Sequence, residues 1–268
     1  MESSKKVVYG GKYERLDMIG SGTQAIAYRV RRLTDGELLV AKVNKDDSTF
    51  EIARKEASRL ASYNSRYIVK HIESFTHETD IGDVLIIITE YCSAGDLEQF
   101  VKNHGGNKEN MPLYVKLIHS ILLGVNVLHQ TRQVHRDIAL KNIFLCGDIK
   151  DLKNLIAKLG DFGLARDVNS TKLTQMTFGG TPIYMSPEIL SSQGDDRAIG
   201  GMPSDMWAVG VCLHMVLSET GASPWGGPFN FAAQVKGEFT KLPSYVPEEL
   251  KKVVSKLLEV DPVSRMTC

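Results

Sequence analysis

Runs rich in β-branched and aromatic residues crowd the first third of the chain, and helix-period stripes occupy the rest. Tyr13 to Ile19, Ala25 to Arg31 and Leu38 to Val43 read as successive strands, with Thr34-Asp35-Gly36 turning the second hairpin. Thr49 to Tyr63 carries Glu, Ala, Arg and Leu, and Ile52, Glu56 and Leu60 fall four apart on one face, which predicts a helix. Two β-rich stretches follow, Tyr67 to Phe75 and Val84 to Tyr91, the latter holding the run Val84-Leu85-Ile86-Ile87-Ile88 expected of a strand covered on both faces. From Leu97 onward the period is helical. Val115, Ile118, Leu122 and Val125 mark a long buried stripe, and Ser204 to Leu217 and Glu248 to Glu259 read as further helices. The predicted class is α+β: five strands and one helix in a small first part, mainly helices in a larger second part, with the boundary near Glu90 to Asp96.

Composition narrows the partners more than the fold. At 268 residues with 43% apolar side chains, the chain can build two lobes or one large core. Lys plus Arg equals Asp plus Glu at 32 each, so no global field favours nucleic acid or an anionic membrane. Cys92, Cys146, Cys212 and Cys268 are far apart and form no Cys-x-x-Cys pair, which argues against structural zinc or a disulfide framework and predicts reduced thiols. No apolar stretch follows Met1, Glu2 excludes the N-myristoylation pattern, and Val209 to Leu217, the longest apolar candidate, is too short to span a bilayer. A cytoplasmic or nuclear protein without membrane or nucleic-acid partners is expected.

The chemistry sits in Val134-His135-Arg136-Asp137-Ile138-Ala139-Leu140-Lys141-Asn142, followed nineteen residues after Asn142 by Asp161-Phe162-Gly163. This spacing supplies one proton acceptor, Asp137, and two Mg²⁺ ligands, Asn142 and Asp161, as phosphoryl transfer requires. Upstream, Ile19-Gly20-Ser21-Gly22 precedes a strand bearing Lys42. Backbone amides near Gly20 and Gly22 can approach phosphates, although an empty Gly-x-Gly hairpin reads the same in isolation. A dinucleotide fingerprint does not fit, because strand-like Ile26, Tyr28 and Val30 follow where that motif needs a helix. Downstream come Gly180-Thr181-Pro182-Ile183-Tyr184-Met185-Ser186-Pro187-Glu188, then Ser204-Asp205-Met206-Trp207, then Arg265. In this order, and over essentially its whole length, the chain resembles the eukaryotic protein kinases of serine/threonine type. Asn142-Ile143-Phe144-Leu145, Lys158 to Arg166 and Gly180-Thr181-Pro182 are most similar to the NIMA-related kinases.

The resemblance implies a bilobal fold with an arm at residues 1–12, a small lobe at 13–91 and a large lobe at 92–268 that stops before the last helices of the family fold. It implies ATP and Mg²⁺ as cofactors and serine or threonine hydroxyls of protein substrates as acceptors. Lys42 would pair with the phosphates, held by Glu56. Ile19, Gly20 and Gly22 would cover them, while Ala27, Ala41 and Phe144 sandwich adenine beneath the gatekeeper Thr89. The Glu90 carbonyl and Cys92 amide would meet the adenine edge, and Asp96 the ribose. Thr181 would touch Asp137, and Thr177 would take an activating phosphate from an upstream kinase or from the chain itself, paired with Arg136. Glu188 with Arg265 would form a buried ion pair, Asp205 would hold backbone amides of the catalytic loop, and His135 would pack beneath Phe162.

Three departures qualify the resemblance. Ala25 replaces the third loop glycine, Ala27 the usual valine, and Ala139 the usual lysine, while Lys141 stands where receptor-type tyrosine kinases carry arginine. Lys141 is therefore a candidate catalytic cation. Two rival classes follow from the sequence: a catalytically weak pseudokinase serving as a nucleotide-binding or scaffolding module, for which Ala139 speaks, and a small-molecule kinase, which would lack the Ser186-Pro187-Glu188 segment that docks peptides.

Overall fold

The computed structural model describes residues 6–79, 82–168, 182–191, 201–227 and 230–268. The chain divides into two compact units, Met1–Cys92 and Ser93–Cys268.

The first unit is an antiparallel sheet of six strands and one helix, with spatial order β1-β2-β3-β4-β6-β5. Its elements are β1 (Val8–Tyr9), β2 (Tyr13–Ser21), β3 (Ala25–Arg32), β4 (Leu38–Asn44), α1 (Asp47–Ser62), β5 (His71–Thr79) and β6 (Gly82–Glu90). The predicted arm thus contributes a strand. Gly10 and Gly11, at φ 54° and 67°, turn the chain so that Tyr9 pairs with Tyr13, and both tyrosines are buried. α1 starts at a capping box, in which the Asp46 carboxylate accepts the Thr49 amide at 3.1 Å while Thr49 Oγ1 accepts the Asp46 amide at 3.3 Å. That cap sets the helix phase that turns Glu56 and Leu60 inward.

The second unit holds α2 (Leu97–His104), α3 (Met111–Gln130), β7 (Gln133–Val134), β8 (Ile143–Cys146), β9 (Ile156–Leu159), β10 (Arg166–Asp167), α4 (Pro187–Ser191), α5 (Met202–Leu217), α6 (Phe231–Lys236) and α7 (Glu248–Leu257). α5 is buried on all sides up to Leu217, so it has no polar face. α7 crosses it at Gly210, where a Cβ would stand 2.9 Å from the Leu257 Cβ. Only glycine permits that approach. α3 corrects two expectations: Val115 is exposed, the buried stripe running instead through Tyr114, Leu117, Ile118, Ile121, Val125 and Leu128, and the helix is long and apolar enough to cross a membrane by length and composition alone. Here that apolar surface packs against β9 and α5.

Cysteine chemistry is a further correction. Cys92 and Cys146 are disulfide-bonded, and the free thiols are Cys212 and Cys268. The absence of a local Cys-x-x-Cys pair tests only local bonding, so it does not predict reduced thiols.

His214 gives the second unit an acid-sensitive point. It is 1% exposed, with Nε2 2.8 Å from the Thr240 carbonyl and no partner on Nδ1. A carbonyl only accepts, so Nε2 carries a proton, and Nδ1, without a partner, has nothing to receive a second one. Burial pushes its pKa down, against the smaller opposing pull of the Thr240 carbonyl. In the unfolded chain the ring titrates near ~6.5, so below that pH the unfolded state gains a proton that the folded state refuses, and stability falls as pH falls. Between pH 7.5 and 5.5 the wild type should lose about 1 kcal/mol more than His214→Gln, whose amide still donates to Thr240. Denaturant midpoints at the two pH values check this; parallel losses would show that His214 is not the sensitive group. His71, also depressed by burial, is common to both proteins and cancels in the comparison.

Candidate active site

In the first unit the site is built on strand alternation. Lys42 pairs across the sheet with Ala27 and Ile87, and Val40 with Thr89, so these five residues share one face. Lys42 Nζ reaches both oxygens of Glu56 at 2.7 and 2.9 Å. Glu56 is 3% exposed, and a carboxylate so buried needs its cation in place. Ala41 is on the opposite face, fully buried in a core with Tyr9, Tyr13, Val30, Leu39 and Ile88. It therefore does not line the Lys42 side, which corrects its assignment to the adenine sandwich. Val40 is the β4 residue that shares the Lys42 side, and counting back by two from Lys42 would have found it.

The glycine turn is open beside its backbone. Gly20 pairs with Ala27, and the Gly22 amide donates to the Ala25 carbonyl at 2.9 Å. A Cβ at Gly20 would meet nothing nearer than 3.9 Å, and at Gly22 nothing nearer than 3.7 Å. The fold itself does not demand glycine at either position, whereas a phosphate approaching the amides would. Ile19 is exposed at the head of the turn. At the end of β6 the Glu90 carboxylate accepts the Lys70 amide at 2.7 Å and Thr89 Oγ1 lies 3.4 Å from the Glu90 carbonyl; Cys92, buried, closes the unit.

In the second unit the β8–β9 hairpin brings the acidic and amide groups to one end. Ile143 pairs with Leu159, and the Gly160 amide donates to the Asn142 carbonyl at 2.9 Å, so Asn142 and Asp161 emerge together. Asn142 Nδ2 donates to the Asp137 carbonyl at 2.8 Å and to Asp137 Oδ2 at 2.9 Å. Its amide nitrogen thereby faces Asp137, which leaves Oδ1 as the atom to offer a cation. Burial pushes the Asp137 pKa up, and the Asp161 charge adds to this, while the Lys141 charge and the Asn142 hydrogen bond act the other way. Asp161 is exposed at φ 58°, a conformation costing a non-glycine residue about 1 kcal/mol or more, and strain of that kind clusters at functional sites.

Scaffold contacts fix this loop from below. Asp205 on α5 accepts the amides of His135 and Arg136 at 2.8 and 2.9 Å and lies 3.1 Å from His129 Nε2. His135 packs on Phe162 with ring centroids 4.8 Å apart. Its Nδ1 accepts the Asp137 amide at 3.3 Å and its Nε2 is 3.0 Å from the Gly160 carbonyl, so both ring nitrogens serve backbone and neither is available as a base. Arg265 grips Glu188 through two bonds of 2.8 and 2.9 Å and lies over the Trp207 ring. Burial opposes ionisation of Glu188, but Arg265 holds its carboxyl below the usual range. Asp96 commits one oxygen to capping α2, accepting the Gln99 amide at 2.9 Å, and its backbone bridges to half-buried Phe144. Lys141 is exposed beside buried Ala139 and Leu140. Thr177 and Thr181 lie outside the described residues. His129 and Tyr184, whose hydroxyl accepts the Leu140 amide at 3.4 Å, are loop-fixing residues that carried no sequence signal.

The donor set suits a hard cation. Among the described residues no three His, Cys, Asp or Glu side chains gather into a cage. One carboxylate and one amide oxygen, completed by phosphates and water, is the pattern of Mg²⁺.

Comparison with known proteins agrees with this geometry. Residues 13–268 match the family model for the protein kinase domain. The chain is 32% identical over 95% of its length to the "Probable serine/threonine-protein kinase nek2" of Dictyostelium discoideum, covering 60% of that protein. It is 30% identical over 97% of its length to serine/threonine-protein kinase Nek11 of Homo sapiens, and 29% over its whole length to serine/threonine-protein kinase ATG1a of Arabidopsis thaliana, covering 39% and 41% of them. The chain thus spans roughly two fifths to three fifths of these relatives. With a Lys42–Glu56 ion pair, an Asp137–Asn142 lock and a family match across nearly all of its residues, this chain belongs to the protein kinase family.

Proposed function

We propose that this chain transfers the γ-phosphoryl group of ATP to serine or threonine hydroxyls of protein substrates. The observation that carries the reading is the Asn142 carboxamide, which orients Asp137 through its nitrogen and keeps its oxygen for Mg²⁺. Asp161 and Asn142 would hold the cation, which when bound neutralises charge on the phosphates. Lys42, fixed by Glu56, anchors the phosphates, and the glycine turn, whose open space beside Gly20 and Gly22 admits them, covers them. Asp137, orientated by Asn142 and a backbone pinned on Asp205, accepts the hydroxyl proton. Phosphorylation at Thr177, by another kinase or by the chain itself, would place a dianion for Arg136 to pair with. Incubation with radiolabelled Mg-ATP and generic protein substrates, followed by phosphoamino-acid analysis, tests the reading. Label on serine and threonine is expected; label on tyrosine alone, or none, would overturn it.

A further inference from the structure

The turn Pro182–Tyr184, which leads into α4, is tied to α6 by side-chain donors that neither the proposed chemistry nor the core requires. Gln234 on α6 is 1% exposed, and its Nε2 lies 3.0 Å from the Pro182 carbonyl, 3.2 Å from that of Ile183 and 2.7 Å from that of Met185. Trp225 Nε1 donates to the same Ile183 carbonyl at 2.9 Å, with its ring stacked on Trp207 at 5.5 Å. An apolar side chain could fill the inner face of this short helix without the cost of desolvating an amide. The amide is present because three carbonyls of the turn converge on it. On its other side the turn meets the catalytic loop, where the Tyr184 hydroxyl accepts the Leu140 amide two residues before Asn142.

We propose that Gln234 is a positioning residue, whose carboxamide fixes the Pro182–Met185 turn and so sets the affinity for protein substrate without affecting nucleotide. This rests on the proposed function and extends it to a residue outside the loop that performs the chemistry. With three carbonyls of the turn bound toward α6, a peptide can be recognised there through the turn's side chains rather than by pairing with those oxygens.

Steady-state kinetics of Gln234→Met, which keeps length and removes the donors, test the proposal. KM for a protein substrate should rise about tenfold, the effect of losing one to two net hydrogen bonds, with kcat and KM for ATP within about twofold. Trp225→Phe, which keeps the ring stack and removes one donor, should shift the same KM by about threefold and decides the matter if Gln234→Met does not fold. A merely structural role would lower the melting temperature and active fraction while leaving KM unchanged, and that result overturns the proposal. Hydrogen-exchange mass spectrometry over residues 182–191 reads the turn without catalysis: faster exchange in the variant is expected, and unchanged exchange also overturns the proposal. Should the wild type transfer no phosphate, the functional reading fails, yet exchange still reports whether Gln234 holds the turn.

Discussion

Asp161→Asn is expected to abolish phosphoryl transfer, and Asp137→Asn to lower turnover by about 10²-fold or more. The Asp161 substitution would remove the anionic ligand from the proposed cation site, leaving one amide oxygen, and Mg²⁺ bound through one or two carboxylates depends heavily on each. The Asp137 substitution is nearly isosteric. Its amide oxygen can still accept from Asn142 Nδ2, as the carboxylate does at 2.9 Å, so the loop geometry survives while the proton acceptor is lost. Each decade of rate is about 1.4 kcal/mol of barrier, so 10²-fold corresponds to ~2.7 kcal/mol. Single-turnover assays with radiolabelled ATP measure the loss directly, and unfolding midpoints within ~0.5 kcal/mol of wild type would assign it to chemistry rather than folding. Unchanged turnover in both variants would remove the kinase reading, since no other described group stands in the same two roles.

Much of the site was legible because phosphoryl transfer ties a few residue types to fixed spacings. Asp137, Asn142 and Asp161 are near one another because a single hairpin separates the last two, and a hairpin is a local structure that sequence can signal. The Lys42–Glu56 pair was legible for a different reason: alone either residue reads as a surface charge, and only the resemblance to the kinase motifs around them implied the pair that the structure forms. Ala41 failed because its apolar character suits either face of β4, and only the register with β3 and β6 shows which face it takes. β1 failed because two residues are too few for a period, and its pairing depends on the left-handed glycines that fold it back. Gln234 and His129 were invisible for a general reason. Buried polar residues read as surface residues until the carbonyl or carboxylate they serve is in place.

The departure at Ala139 bears on the second large effect, because a group must meet the negative charge that builds on the transferring phosphoryl. Ala139 is 1% exposed, with buried Leu140 beside it, so its place in the loop is filled by packing rather than by a cation. Lys141, in the short helical turn Leu140–Asn142, is exposed, and its charge is close enough to favour the ionised form of Asp137. A flexible four-carbon stem ending in an ammonium can follow the phosphate as it moves. Lys141→Ala is therefore expected to lower kcat by about 10²-fold with little change in KM for ATP, the signature of an interaction made in the transition state and not in the ground state. Lys141→Arg should keep most of the rate, since it preserves charge. Ala139→Lys in the Lys141→Ala background should restore only part of it, because the new side chain must leave a buried position to reach solvent. As Lys141 is exposed, its replacement should leave the unfolding midpoint unchanged, and kcat then reads the charge alone. A Lys141→Ala enzyme with normal kcat would show that Mg²⁺ and Lys42 carry the developing charge without it.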